Sequence, residues 1–138
     1  MEYLIGVDLG TSGTKTVLFD TNGNSIASKT IEYPLYQPQN GWAEQDPEDW
    51  WKAACDGMSA VISKSGINPS DIKGIGISGQ MHGLVMLDKS GAVLRKSIIW
   101  CDQRTEKECE QITSLVGAER LISITANPAL TGFTASKI

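Results

Sequence analysis

Tyr3-Leu4-Ile5-Gly6-Val7-Asp8-Leu9-Gly10-Thr11-Ser12-Gly13-Thr14-Lys15-Thr16-Val17-Leu18-Phe19-Asp20 opens the chain, and its reading decides the fold. Tyr3 to Val7 is an apolar run of strand formers that ends in the carboxylate of Asp8. Leu9 to Thr14 is turn-rich, and Lys15 to Asp20 alternates: Thr16, Leu18 and Asp20 point to one face, Lys15, Val17 and Phe19 to the other. Asn22-Gly23 is a strong short hairpin signal, so the chain folds back through Ser25–Tyr33. The expectation is three antiparallel strands joined by tight turns.

Outward from there, Pro34, Pro38, Asn40 and Gly41 mark a loop. Asp46-Pro47-Glu48-Asp49 then reads as a helix start, with Asp46 as N-cap, proline at the first helical position and acids facing the dipole. Trp50, Ala53, Ala54, Val61 and Ile62 form one apolar stripe behind it, and Gly66 ends the helix. Ile72–Ser78 reads as a strand whose glycines permit close approach. Leu84–Leu87 and Ala92–Leu94 flank Asp88-Lys89-Ser90-Gly91 as a second hairpin, and Ser97–Trp100 is a further strand. Asp102 is expected to cap a charged helix running to about Val116. Thr134 reads as the N-cap of a final turn. So short a helix cannot recover its nucleation cost, and the chain is expected to be the leading part of a longer one.

The 138 residues are one domain's worth of chain, and 41% apolar with 20% charged residues excludes a disordered or fibrous chain. A net charge of −4 offers no basic face, so nucleic acid is not expected as a partner. No apolar run approaches the roughly 20 residues of a membrane span, and Met1-Glu2-Tyr3 begins no basic signal region. Cys55, Cys101 and Cys109 are odd in number and include no CxxC pair, which points to a reducing, cytoplasmic setting. His82 is the only histidine, so a His-rich zinc site is excluded.

The chemistry-bearing candidates begin with Asp8 and the loop Gly10, Thr11, Ser12, Gly13 and Thr14. Backbone N–H groups and three hydroxyls in such a loop can wrap phosphate oxygens, the glycines admitting close approach and positive φ. Asp8 would hold Mg²⁺ beside them, directly or through water, and Lys15 could reach a phosphate. This is neither GxxxxGK[ST] nor GxGxxG opening a helix. A hairpin turn that needs Gly and Thr for backbone reasons alone stays open, as does Lys15 as a plain strand-edge lysine.

Taken together, the motifs resemble a known family. The Asp8–Lys15 segment is similar to the first phosphate motif of the actin-like ATPases, the superfamily of sugar kinases, actin and heat-shock chaperones. Gly41–Pro47, Trp50-Trp51, Ser78-Gly79-Gln80-Met81-His82-Gly83, Trp100–Arg104 and Gly132–Lys137 resemble the FGGY carbohydrate kinases, and within them the xylulose-phosphorylating members, along the whole chain and in order. The resemblance implies an α/β fold of ribonuclease H-like type, a mixed sheet with flanking helices, here an incomplete domain: residues 1–138 are the N-terminal part of the first, sugar-binding domain. It implies transfer of phosphate from ATP, with Mg²⁺, to D-xylulose or a related ketose by the full-length parent. The general base and the adenosine site would lie beyond Ile138, so this chain alone is expected to be inactive. Family members are often homodimers.

Where glycerol kinases carry an Asn-Gln-Arg-Glu type of segment, this chain has Met81 and His82, the pair that contacts the sugar in xylulose-specific members. Histidine supplies a hydrogen bond to a ketose hydroxyl and methionine a soft apolar wall. The plainer alternatives are a structural histidine and a core methionine. Gln80, Trp100, Asp102 and Arg104 are further substrate-binding candidates, set against Trp100 as core, and Asp102 as an N-cap beside a solvated Arg104. Trp42, Trp50 and Trp51 read as packing, and Cys101 as an inert cysteine. Two rival functions stay open: another FGGY sugar or polyol kinase, and an actin-like nucleotide-binding module without a sugar substrate.

Overall fold

The computed structural model describes residues 1–138. In chain order the elements are β1 (Tyr3–Leu9), β2 (Gly13–Asp20), β3 (Ser25–Glu32), β4 (Glu44–Gln45), α1 (Pro47–Ser65), a 3₁₀ turn (Pro69–Asp71), β5 (Ile72–Gly79), β6 (Ser97–Ile98), α2 (Glu106–Val116), α3 (Ala118–Thr125) and a second 3₁₀ turn (Ala135–Lys137). They divide into two compact units, one of Met1–Pro34 with Pro47–Gln80, the other of Leu35–Asp46 with Met81–Ile138. No helix is long and apolar enough to cross a membrane.

The first unit is a four-stranded mixed sheet in the order β3-β2-β1-β5, with α1 on one face. Strands β1 to β3 form the expected antiparallel run, and β5 adds in parallel to β1. The alternation read from Lys15–Asp20 holds: Thr16, Leu18 and Asp20 are buried while Lys15 is exposed. Asp20 also closes the β2–β3 turn, its carboxylate accepting from the backbone of Asn22 and Asn24 (both 2.9 Å) and from Asn24 Nδ2 (2.8 Å). Ile5, Val7, Leu18, Ala27 and Val61 make the core, and α1 buries Ala53, Gly57 and Val61, one stripe at helical spacing. Gly57 matters because a Cβ there would stand 2.4 Å from Thr16 Oγ1, so only glycine lets the helix settle this close to β2. Trp50 is partly buried as expected, but Trp51 is 68% exposed and packs no core. Gly66 ends α1 with φ +67° and its N–H on Ile62 O. Helix α1 lies over β2 and β3, which leaves Ile75 and Ile77 of β5 exposed.

The second unit has little regular strand. β4 and β6 pair over two residues each. The hairpin expected around Asp88–Gly91 forms but is short, with one bridge, Leu87–Val93, and backbone bonds from Asp88 N–H to Ala92 O and from Leu94 N–H to Met86 O (both 2.9 Å), while Leu84 bridges Ile98 of β6. The hairpin's turn forms, with Asp88 Oδ1 accepting from the backbone of Ser90 and Ala92. Ser97–Trp100 keeps strand pairing only to Ile98. Helix α2 starts at Glu106 rather than at Asp102, and α3, which the sequence reading did not anticipate, follows after Gly117 at φ +86°. Thr134 takes the expected N-cap position of the second 3₁₀ turn, but its backbone is helical and its side chain makes no capping bond.

Candidate functional site

In the first unit, β1 and β2 deliver Asp8 and Lys15 to opposite positions of one register, with Ser78 across from Asp8 on β5. Asp8 and Lys15 are both exposed. An open channel on the sheet is lined by Gly6, Asp8, Lys15, Val17, Gly76 and Ser78, among others. The loop between the strands is tightened by Gly10 N–H donating to Gly13 O at 3.0 Å. Neither Gly10 nor Gly13 adopts positive φ, contrary to the sequence reading. Their requirement is space: a Cβ on Gly13 would lie 2.7 Å from Ile31 O, against the neighbouring strand, and one on Gly10 3.2 Å from Gly13 O. Ser12 is exposed and Thr11 half-buried, while Thr14 is fully buried with its Oγ1 3.5 Å from the Tyr33 hydroxyl. Thr14 can therefore offer a ligand its backbone but not its side chain.

Tyr33 was not among the residues singled out from sequence. Its hydroxyl donates a short hydrogen bond to Gly10 O and so braces the loop from beneath. Burial pushes the Tyr33 phenol up, with the Asp8 charge adding to it and the Thr14 bond opposing. Nothing in a lone tyrosine after a strand announces this bond. Gln80 closes the same end of the sheet, its N–H donating to Leu9 O at 2.8 Å.

In the second unit, Met81 is 69% exposed, which removes the reading of a core methionine. His82 is exposed and sits at φ +64°, a left-handed conformation that costs a non-glycine residue about 1–2 kcal/mol. Its ring stands 4.7 Å from the Phe133 ring, tilted by 50°. Lys137 donates to His82 O at 2.9 Å and to Gly132 O at 2.8 Å. Gly132 in turn lies so close to Trp100 that a Cβ would meet Trp100 O at 2.8 Å. Trp100 is 49% exposed, not core. His82, Phe133, Gly132, Lys137 and Trp100 are thus tied into one cluster, two of whose members, Trp100 and His82, present large exposed rings.

Asp102 and Arg104 turn out to do something other than cap a helix. Asp102 is 1% exposed and accepts from Ala43 N–H (2.7 Å), Arg104 N–H (2.9 Å) and the Arg104 guanidinium (2.7 to 3.0 Å). Arg104 is not solvated: it also donates to Glu44 at 2.7 Å and stacks 3.7 Å from the Trp42 ring centroid. Arg95 adds a second bond to Glu44 at 2.6 Å. Burial pushes the Asp102 carboxyl up, but its bonds to the Arg104 guanidinium and to the Ala43 and Arg104 N–H groups outweigh burial and hold it below the ordinary carboxylate range. With its acceptors and donors spent internally, this pair braces the unit rather than offering groups to a ligand. Glu44, one position from Gln45 in a short motif, is the member that sequence reading passed over.

Residues 3–138 match the family described as FGGY family of carbohydrate kinases, N-terminal domain. The chain belongs to that family. Among curated relatives, the xylulose kinase of Bacillus subtilis (strain 168) is 45% identical over 138 residues, all of this chain and 28% of the relative. Among solved structures, the protein described as a xyloylose kinase from Brucella ovis superposes with a TM-score of 0.91 at 38% identity, over 99% of this chain and 28% of that one. The gluconate kinase from Lactobacillus acidophilus superposes with a TM-score of 0.89 at 32% identity, over 99% and 27%. This FGGY chain therefore spans under a third of the length of the relatives it matches. The mixed sheet with flanking helices is that of the actin-like ATPase kinases, as the sequence resemblance implied.

Proposed function

We propose that this chain is the leading part of the sugar-binding domain of an ATP-dependent kinase of D-xylulose, acting in the cytoplasm. The observation that carries this reading is the exposed Met81–His82 pair, set on a strained and buttressed backbone in a segment where a core or merely satisfied pair would be buried. Similarity to a xylulose kinase along the whole chain supports the ketose as substrate.

The residues at the end of β1 suit a magnesium nucleotide. Mg²⁺ is commonly held by one or two carboxylates together with substrate phosphates and water, so Asp8 alone suffices on the protein side. No group of three or more ligating side chains exists here to make a dedicated all-protein cage. When bound, the metal nucleotide supplies an electrophilic phosphoryl group with its charge partly neutralised. Asp8 would hold the metal, the loop after β1, with its Gly10 N–H already given to Gly13 O, would offer the exposed Ser12 to phosphate oxygens, and Lys15 would add positive charge. His82 and Met81 would hold and orient the ketose.

The test is steady-state kinetics on the full-length protein with D-xylulose, glycerol and gluconate. D-xylulose is expected to be preferred, and His82→Ala to raise its KM by about 10-fold or more while moving the KM for ATP by less than about 2-fold. Preference for gluconate or glycerol, or an unaltered sugar KM in the variant, rejects the ketose assignment.

A further inference from the structure

Gly132-Phe133-Thr134-Ala135-Ser136-Lys137 forms the second 3₁₀ turn and the segment leading into it. Its lysine is the most costly residue in it. The Lys137 side chain is long and flexible, so ordering it forfeits much rotamer freedom, and it is only 7% exposed. A cation so placed is ordinarily paired with a carboxylate. Both of the hydrogen bonds of Lys137 go instead to backbone carbonyls, of His82 and Gly132. Burial pulls its pKa down, with the Asp102 charge opposing.

The surroundings of Lys137 are built to hold it still. Its own N–H donates to Thr134 O at 2.9 Å, closing the 3₁₀ turn. Ser136 Oγ and Thr105 Oγ1 share a buried hydrogen bond of 2.9 Å, which pins that turn to the start of α2. Gly132 is locked against the Trp100 backbone by close approach. His82 lies against this assembly with its backbone in the left-handed region, which is uncommon for any residue but glycine even though histidine enters it more often than most. A strained residue persists only where its surroundings over-determine it. Two contacts on His82 do so here: the Lys137 ammonium on its carbonyl and the Phe133 ring beside its imidazole.

We propose that Lys137 is a positioning residue for substrate binding: by clamping the His82 and Gly132 carbonyls together it holds His82 in the left-handed conformation that presents its imidazole to the ketose. The proposal rests on the assignment of His82 to the sugar and adds to it the group that sets its aim. A charge-assisted bond is suited to the task because it is about twice as strong as a neutral one.

The experiment compares Lys137→Met, His82→Ala and the double variant in the full-length protein. Lys137→Met is expected to raise the KM for D-xylulose by about 10-fold while the KM for ATP stays within about 2-fold, a split that general damage to the fold would not give. In the His82→Ala background the same change should add less than about 2-fold, because the residue it acts through is gone. Lys137→Arg, which keeps donors for both carbonyls, should return the KM to within about 3-fold of the parent. If Lys137→Met melts below the assay temperature, Lys137→Gln carries the same comparison. An unchanged sugar KM, or an equal effect with and without His82, overturns the proposal. A crystal structure of Lys137→Met separates the clamp from the sugar assignment. If His82→Ala leaves the sugar KM unaltered, the sugar assignment falls, and a His82 that keeps positive φ in that structure independently sinks the clamp.

Discussion

The two units of this chain are held together by different forces. In residues 1–34 with 47–80, a layer of Ile5, Val7, Leu18, Ala27 and Val61 is pressed between sheet and helix, and polar groups serve mainly to close turns. In residues 35–46 with 81–138, the fully buried side chains include Asp102 and Ser97, and the segments are tied by Glu44, Arg95, Arg104 and Lys137 rather than by a broad apolar layer. Apolar layers are non-directional and tolerate small errors. Polar networks hold segments at set angles and fail abruptly when one member is lost. The unit bearing the proposed sugar residues is the one built by the directional force, which suits a site whose side chains must be aimed.

The sharpest way to break that contrast is at Asp102. Asp102→Ala strands the Ala43 N–H and removes one of the two carboxylates of a buried Arg104. Breaking a buried pair in this way costs about 3–5 kcal/mol, as read by chemical denaturation. The pH dependence carries a sign that identifies the cause. The folded Asp102 carboxyl titrates below its ordinary range, so its contribution is complete above the unfolded value of about 3.9 and fades as pH falls through the lower folded value. The deficit of Asp102→Asn should thus be constant near neutrality and shrink in acid. A deficit under about 1 kcal/mol for the alanine variant would place Asp102 at a solvated surface pair after all.

The same contrast explains what the sequence disclosed. Strands β1 to β3, the Asn22-Gly23 turn, α1 with its Gly66 stop, and β5 all announce themselves by period and turn chemistry over neighbouring residues. The second unit depends on pairs far apart in the chain: Ala43 with Asp102, Glu44 with Arg104, His82 with Lys137. No local pattern encodes such a pair, so Asp102 read as a cap and Arg104 as solvated. Trp100 and Met81 carry apolar side chains that ordinarily point inward, and only the fold shows them outside. At the candidate phosphate loop the residue types were legible, but their reason was not: Gly13 is required by the Ile31 carbonyl beside it, and Tyr33 braces the loop from a strand away. Helix α3 follows α2 after one glycine, and its eight residues span little more than two turns, too short a window for a helical period to stand out.

An intermediate effect is expected where the apolar layer is at its closest. Gly57→Ala drives a methyl to 2.4 Å from Thr16 Oγ1, so helix and sheet must part. Overpacking of this kind costs about 1–3 kcal/mol in a denaturation midpoint, despite the better helix propensity of alanine. A neutral or stabilising result would show that α1 slides freely over β2, and that the first unit is packed less tightly than its geometry says.

The smallest effect has the opposite sign. Thr16 Oγ1 is buried between β2 and α1 and has no hydrogen-bond partner, an unmet polar group inside the layer that otherwise contains only apolar contact. Its donor and acceptor were stripped of water on folding without return, a loss of roughly 1–3 kcal/mol in protein mutational data. Thr16→Val replaces the hydroxyl with a methyl in nearly the same outline and keeps the β-branched shape that a strand favours. The added bulk meets Gly57, which already packs closely on the Thr16 side chain. The gain should therefore be only about 1 kcal/mol, seen as a higher denaturation midpoint with an unchanged slope. The corresponding change in the second unit, removal of a polar partner at Thr105 or Ser136, would destabilise, because there the two hydroxyls satisfy each other. If Thr16→Val instead costs stability, the hydroxyl is satisfied in solution, and polar bonding contributes to the first unit as well as to the second.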